Sequence, residues 1–162
     1  MSEEDPIKIY IAQLYDSDKK IRAEACNSLV NSGHKAVLPL IGILDDQNWI
    51  VRYRAVEALG LIKDERAINP LTRMLKDPKD HVRYMAAKDM GIFGKKELSM
   101  SLIPLLRDEN EYVRRITAQS LGKLGGVTAY GAILKAIESE EDERAKEAMK
   151  EAIIKIDQEK TL

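Results

Sequence analysis

Four arginines, Arg22, Arg52, Arg83 and Arg114, each follow an acidic residue by six positions (Asp16, Asp46, Asp77 and Asp108), and a fifth pair, Glu138 and Arg144, continues the series. Opposed charges at fixed spacing shift each other's pKa values, which is how active sites prepare acids and bases, so these pairs are the first candidates for chemistry. Their recurrence argues for a different role. A pair that returns in every unit, terminal ones included, is more economically a structural ladder. The acid at a turn would accept backbone N–H groups at the next helix start, and the arginine, with up to five donors, would fork between successive turns. The single cysteine, Cys26, excludes an intramolecular disulfide and holds the place of Ala87 and Ala118 in later units, that of a packing residue rather than a nucleophile. No phosphate loop, nucleophile elbow or Cys/His cluster is present. The sequence therefore predicts no catalytic residue, metal ligand or cofactor, and no enzyme.

The arginines are fixed points in a longer frame. Val51-Arg52, Ala55 and Leu59-Gly60 return as Val82-Arg83, Ala86 and Met90-Gly91, as Val113-Arg114 and Leu121-Gly122, and earlier as Ile21-Arg22, Ala25 and Leu29-Val30, with the arginines 30, 31 and 31 residues apart. A period near thirty, built from two short amphipathic segments, marks a stacked helical array in which no unit buries its apolar face alone. Tetratricopeptide and ankyrin repeats, of about 34 and 33 residues, carry residue patterns that do not recur here.

The Asp-x5-Arg-x7-Gly frame, led in by Ala36-Val37-Leu38-Pro39-Leu40 or Ala67-Ile68-Asn69-Pro70-Leu71, resembles the short HEAT repeats of the phycobilisome-lyase-like family over residues 7 to 157. Ala58-Leu59-Gly60 after Val51-Arg52 is its most specific element. The resemblance implies an all-α, right-handed α-solenoid of about five stacked two-helix HEAT-like repeats, and no one activity. A single domain, 1–162, is expected, with repeats near 6–32, 33–64, 65–94, 95–126 and 127–157, the first and last as caps. The metal site of HEAT-like deoxyhypusine hydroxylases needs repeated His-Glu pairs, which His34-Lys35 and His81-Val82 do not supply.

Successive residues of an α-helix turn by about 100°, so each second helix can be unrolled from its arginine. Positions one before and three, seven and ten after share one side, Val51, Ala55, Leu59 and Ile62 in repeat two, and form the predicted core. Positions four and eight after, such as Ala87 and Gly91 or Ala118 and Gly122, make a flank of small residues suited to close stacking. An interior glycine costs about 1 kcal/mol relative to alanine, so its return implies packing. Gly33, Gly94, Gly125 and Gly126 follow apolar runs where left-handed caps are expected. Pro104 stands three residues later in its helix than Pro39 and Pro70 do in theirs, and should kink it. In repeat five Glu151-Ala152 replaces Leu-Gly, and the spacings Glu140/Arg144, Asp142/Lys146 and Glu151/Lys155 suit a solvated face.

Opposite the core, positions two before and one, two, five and nine after each arginine form an outward stripe. It carries Ile50, Tyr53, Arg54, Glu57 and Leu61; His81, Tyr84, Met85, Lys88 and Ile92; and Tyr112, Arg115, Ile116, Gln119 and Lys123. By the resemblance, second helices line the concave side of the array, so these fifteen residues are the candidate protein-binding surface. Clustered Tyr, Met and Arg are enriched at interfaces. Four basic residues against one acid make the stripe locally positive in a chain of net charge −1. That pattern predicts a protein partner with an acidic surface or segment, and argues against a polyanion binder that works by cationic excess.

The function read from the sequence is thus a non-enzymatic protein-binding scaffold or adaptor. One alternative is a nucleic-acid-binding HEAT-like protein, in which Tyr and Arg would stack bases and hold phosphate. The other, an accessory subunit of a lyase-type complex, is implied by the resemblance alone. With 44% apolar and 33% charged residues, no charged-then-apolar leader and no long apolar run, an ordered cytoplasmic protein with no membrane partner is expected.

Overall fold

A computed structural model describes residues 5–159. Among these there are ten α-helices and no strand: α1 (Pro6–Gln13), α2 (Lys19–Asn31), α3 (Val37–Ile41), α4 (Trp49–Ile62), α5 (Ile68–Met74), α6 (Asp80–Phe93), α7 (Ser99–Leu102), α8 (Glu111–Leu124), α9 (Gly126–Ile137) and α10 (Glu143–Glu159). The chain divides into two compact units, Met1–Met74 and Leu75–Leu162. In the first, α1 packs on α2, α2 on α4, and α3 on α4; in the second, α8 lies between α6 and α10, and α9 packs on both α8 and α10. The fold is an all-α solenoid.

Three of the second helices, α2, α4 and α8, start where the sequence supplies a side-chain cap. Asp18, Asn48 and Asn110 each accept the N–H two residues on, at 2.8, 3.0 and 2.8 Å, and Asp5 does the same for α1 ahead of Pro6. A cap of this kind stabilises a helix by about 1 kcal/mol. At the other end, Gly94 closes α6 in the left-handed region (φ 68°), as predicted. Gly125 also has positive φ, but its extended ψ of −166° turns the chain straight into α9. Gly33 is left-handed as predicted (φ 58°), directly after the right-handed Ser32 that ends α2, whereas α4 ends on a non-glycine residue, Lys63, at φ 57°.

The first helices of the three central repeats are short and broken. α3 and α5 are each entered through a 3-10 turn, Gly33–Ala36 and Glu65–Ala67. The kink expected at Pro104 takes the form of a change of helix type: α7 stops at Leu102 and the chain continues as a 3-10 segment, Ile103–Arg107, with the proline in its first turn. A proline ring there removes one donor and would clash with the preceding α-helical turn, and the tighter helix avoids both.

Along the second helices, Val51, Ala55 and Leu59 are fully buried, as predicted, while Ile62 is half-buried. The recurring glycine is a point of close approach. A Cβ built on Gly91 would lie 2.6 Å from Ser120 Oγ and 2.9 Å from its Cα, and one on Gly122 would lie 2.9 Å from Ala152 Cβ and 3.0 Å from its Cα. The glycine eight after one arginine therefore meets the residue six after the next.

That relation fixes the frame of the last helix and corrects it. Ser120 stands six after Arg114, and Ala152 stands six after Lys146, so Lys146 and not Arg144 occupies the arginine position of α10. The acid six before it is Glu140, and Asp142 takes the place of Asn110, its Oδ1 accepting the Ala145 N–H at 2.8 Å. The final unit is thus offset by two residues, and Arg144 falls two before the arginine position, where α8 has Tyr112.

Candidate functional site

The acid–arginine pairs form the expected ladder. Asp16, Asp46, Asp77 and Asp108 each accept the backbone N–H two residues on, at 2.7 to 2.9 Å. Arg22, Arg52, Arg83 and Arg114 each donate from Nη1 back to the carbonyl of their own acid, at 2.6, 2.7, 2.9 and 2.8 Å. Two arginines also fork to the following acid. Arg83 Nε and Nη2 reach Asp108 at 2.8 and 2.9 Å, and Arg114 Nε and Nη2 reach Glu140 at 2.7 and 2.9 Å. The acid that completes the last rung is Glu140, not Glu138, and Glu140 pairs with Arg114 rather than lacing the solvated face with Arg144. In the first unit the equivalent place on Asp46 is taken by the Tyr15 hydroxyl, which donates to Oδ2. That hydrogen bond, with burial and the carboxylate charge, pushes the Tyr15 phenol up to about 12.

Glu140 gives the ladder a pH dependence. Burial alone would raise its carboxyl, but the Arg114 guanidinium and the Asp142 N–H outweigh that and hold it below the ordinary 4.5. A carboxyl depressed in the folded state contributes stability that is present above its unfolded pKa and is lost as pH falls through the folded value. The gap in melting temperature between the unaltered protein and Glu140→Gln is therefore expected to be full above about pH 5 and to shrink steadily below pH 4. A gap unchanged between pH 7 and pH 3 would overturn this assignment.

Of the predicted binding residues, Leu61, His81, Lys88, Tyr112, Gln119 and Lys123 are exposed, and Ile50, Tyr53, Arg54, Glu57, Tyr84, Ile92 and Arg115 are half-buried. Met85 and Ile116 are not outward. They are 4% and 6% exposed, and so is Ala148 buried, the equivalent residue of α10. The position two after the arginine lies only about 40° round the helix from the one six after it, which in α8 and α10 faces the preceding second helix. Helices separated by no more than a glycine and a serine cover that edge.

In α4 the same position is Arg54. Its Nη1 donates to Glu57 Oε2 at 2.7 Å, so the two charges offset each other, and the buried Cys26 Sγ lies 3.5 Å from the same carboxylate oxygen. His81 Nδ1 is 2.8 Å from Asp80, and this hydrogen bond leads the causes that pull the Asp80 carboxyl down to about 2. Within the second unit Tyr84 and Lys88 on α6 and Tyr112, Arg115, Gln119 and Lys123 on α8 hold outward register positions on neighbouring helices, and none of them is buried. The Arg115 guanidinium carbon stands 5.2 Å from the centre of the Tyr112 ring. The sequence frame missed Arg144, which joins this face from α10; the acid-x-Asx signal Glu140-Glu141-Asp142, parallel to Asp108-Glu109-Asn110, would have found it. Among the described residues no group of three or more His, Cys, Asp or Glu is placed to hold a metal ion, and no helix is long and apolar enough to cross a membrane.

Second helices stacked through glycine contacts and tied by acid–arginine rungs define a helical-repeat protein of the HEAT class. The chain belongs to the HEAT-repeat family, whose sequence pattern matches residues 7–87 and 71–154. A chain in the structure of the complex of CpcE and CpcF of phycocyanin lyase from Nostoc sp. PCC7120 is similar at a TM-score of 0.82 and 22% identity, over 90% of this chain and 96% of that one. A designed armadillo repeat protein in complex with the peptide (KR)4 is similar at a TM-score of 0.61 and 19% identity, over 93% and 81% of the two chains. No curated protein matches the sequence. At these identities the likeness is one of fold.

Proposed function

We propose that this chain is a non-enzymatic protein-binding module that receives an acidic surface or segment of a partner on the outward face of its second helices. The observation that carries this reading is on α6 and α8. Tyr84 and Tyr112 offer rigid contact area there, and Lys88, Arg115 and Lys123 have no ion pair among the described residues. Aromatic anchors supply binding energy at such faces, while unpaired charges set association rate and partner choice. The fold admits this use: the designed armadillo protein holds a basic peptide, and CpcE and CpcF form a complex with each other. On the present chain the unpaired charge is positive.

Tyr84→Ala combined with Arg115→Glu is expected to abolish capture of the partner from the source organism's lysate. Helicity should be kept and stability should fall by no more than about 1 kcal/mol, since neither side chain belongs to the buried core. Undiminished capture of the same proteins would overturn the reading. A steep log–log dependence of single-stranded nucleic-acid binding on salt would replace it with the nucleic-acid alternative.

A further inference from the structure

We infer that the cleft between the starts of α8 and α10 is a subsite for one carboxylate side chain of the partner, bound between Arg115 and Arg144 beside Tyr112. This rests on the reading above that the second-helix face takes an acidic partner. The two-residue offset of the last unit is what creates the cleft, because it sets an arginine where the regular frame would set the counterpart of Tyr112. The resulting cavity, about 130 Å3, is lined by Glu111, Tyr112, Arg115, Asp142 and Arg144.

Arg115 and Arg144 have no hydrogen bond or ion pair among the described residues, and Arg115 is held over the Tyr112 ring rather than extended into solvent. Asp142 is already engaged as the cap of α10 through its bond to the Ala145 N–H. Two planar guanidinium groups facing one small cavity match a carboxylate, which accepts two parallel N–H bonds from each. The volume suits a carboxylate and its methylenes but not a nucleotide. Glu111 and Asp142 on the walls balance the two arginines in formal charge, so a second negative charge on a phosphate gains no net attraction there, and the paired planar forks favour a Glu or Asp of a protein partner.

The test follows arginine side-chain N–H, lysine side-chain and tyrosine ring signals by NMR in the intact 162-residue chain. Three probes are titrated at matched ionic strength: a blocked hexaglutamate peptide, inorganic phosphate and a single-stranded oligothymidylate. Hexaglutamate should move Arg115, Arg144 and Tyr112, and phosphate and oligothymidylate should not. Arg144→Gln, an exposed substitution that leaves the fold intact, should weaken the peptide by about fivefold, whereas Lys135→Gln on α9 should leave it unchanged. Equal binding by Arg144→Gln and Lys135→Gln, or phosphate shifts equal to those of the peptide, would overturn the subsite. If hexaglutamate moves Tyr84, Lys88 and Lys123 but not Arg144, the acidic-partner reading stands and the subsite falls. If none of these signals moves, both fall.

Discussion

Gly91→Leu is expected to lower the melting temperature by roughly 10 °C, although leucine is the better helix former by about 1 kcal/mol. The first atom added to Gly91 is already too close: its Cβ would stand 2.6 Å from Ser120 Oγ, 2.8 Å from Cβ and 2.9 Å from Cα. A hydroxyl can rotate away, but a Cα moves only with its helix, so α6 and α8 must separate. Overpacking a well-filled site costs about 1 to 3 kcal/mol, and contact with backbone places this substitution at the upper end. Lys88→Leu, three residues earlier on the exposed face of the same helix, should shift stability by no more than about 0.5 kcal/mol. Ser120→Gly should partly rescue Gly91→Ala, because it removes two of the three contacts and leaves the Cα. Thermal melts followed by circular dichroism decide the matter. A Gly91→Leu protein that melts at or above the unaltered temperature would show that the recurring glycine is not a close-approach site.

The second helices were legible because one residue type marks their phase. Once Arg52 fixes the zero, Val51, Ala55 and Leu59 must share a side, and they are the buried ones. The first helices carry no such marker. In the three central repeats proline and 3-10 turns cut them to α-helical pieces of four to seven residues, too short for a 3.6-residue period to register. Lys63 in left-handed geometry has no sequence signal at all, since side chains disfavour that region and nothing nearby asks for it.

The candidate face was harder to read, because its edges depend on distances between helices. Ile116 lies where exposure turns on how near α6 comes, and that distance is set by Gly91 and Ser120. Counting from arginine to arginine placed Arg144 on the ladder. Packing counts faces instead, and the helix-start pattern of acid, any residue and Asp or Asn, present at Asp16, Asp46, Asp108 and Glu140, tracks the true frame through the offset.

The ladder itself is expected to show in Arg83→Ala, at a cost of about 3 kcal/mol, against about 0.5 kcal/mol or less for Lys79→Ala. Arg83 and Asp108 keep only 10% and 8% of their side-chain surface exposed. The guanidinium bridges Asp108 to the carbonyls of Asp77 and Pro78, at 2.9 and 3.3 Å, and also reaches Glu109 at 3.4 Å. Its removal strands a buried carboxylate that retains the Asn110 N–H but has lost both of its charged donors. Lys79 lies 3.5 Å from Asp80 with 39% of its side chain in solvent, where water replaces what the substitution removes. Arg83→Lys should recover little of the loss, because a single ammonium cannot span a carboxylate and two carbonyls as a planar fork does. Adding Asp108→Asn to Arg83→Ala should recover part of it, because the stranded charge is then gone and the amide can still accept the Asn110 N–H. Small and equal shifts in melting temperature for Arg83→Ala and Lys79→Ala would mean that the rung, for all its geometry, contributes nothing to holding successive turns together.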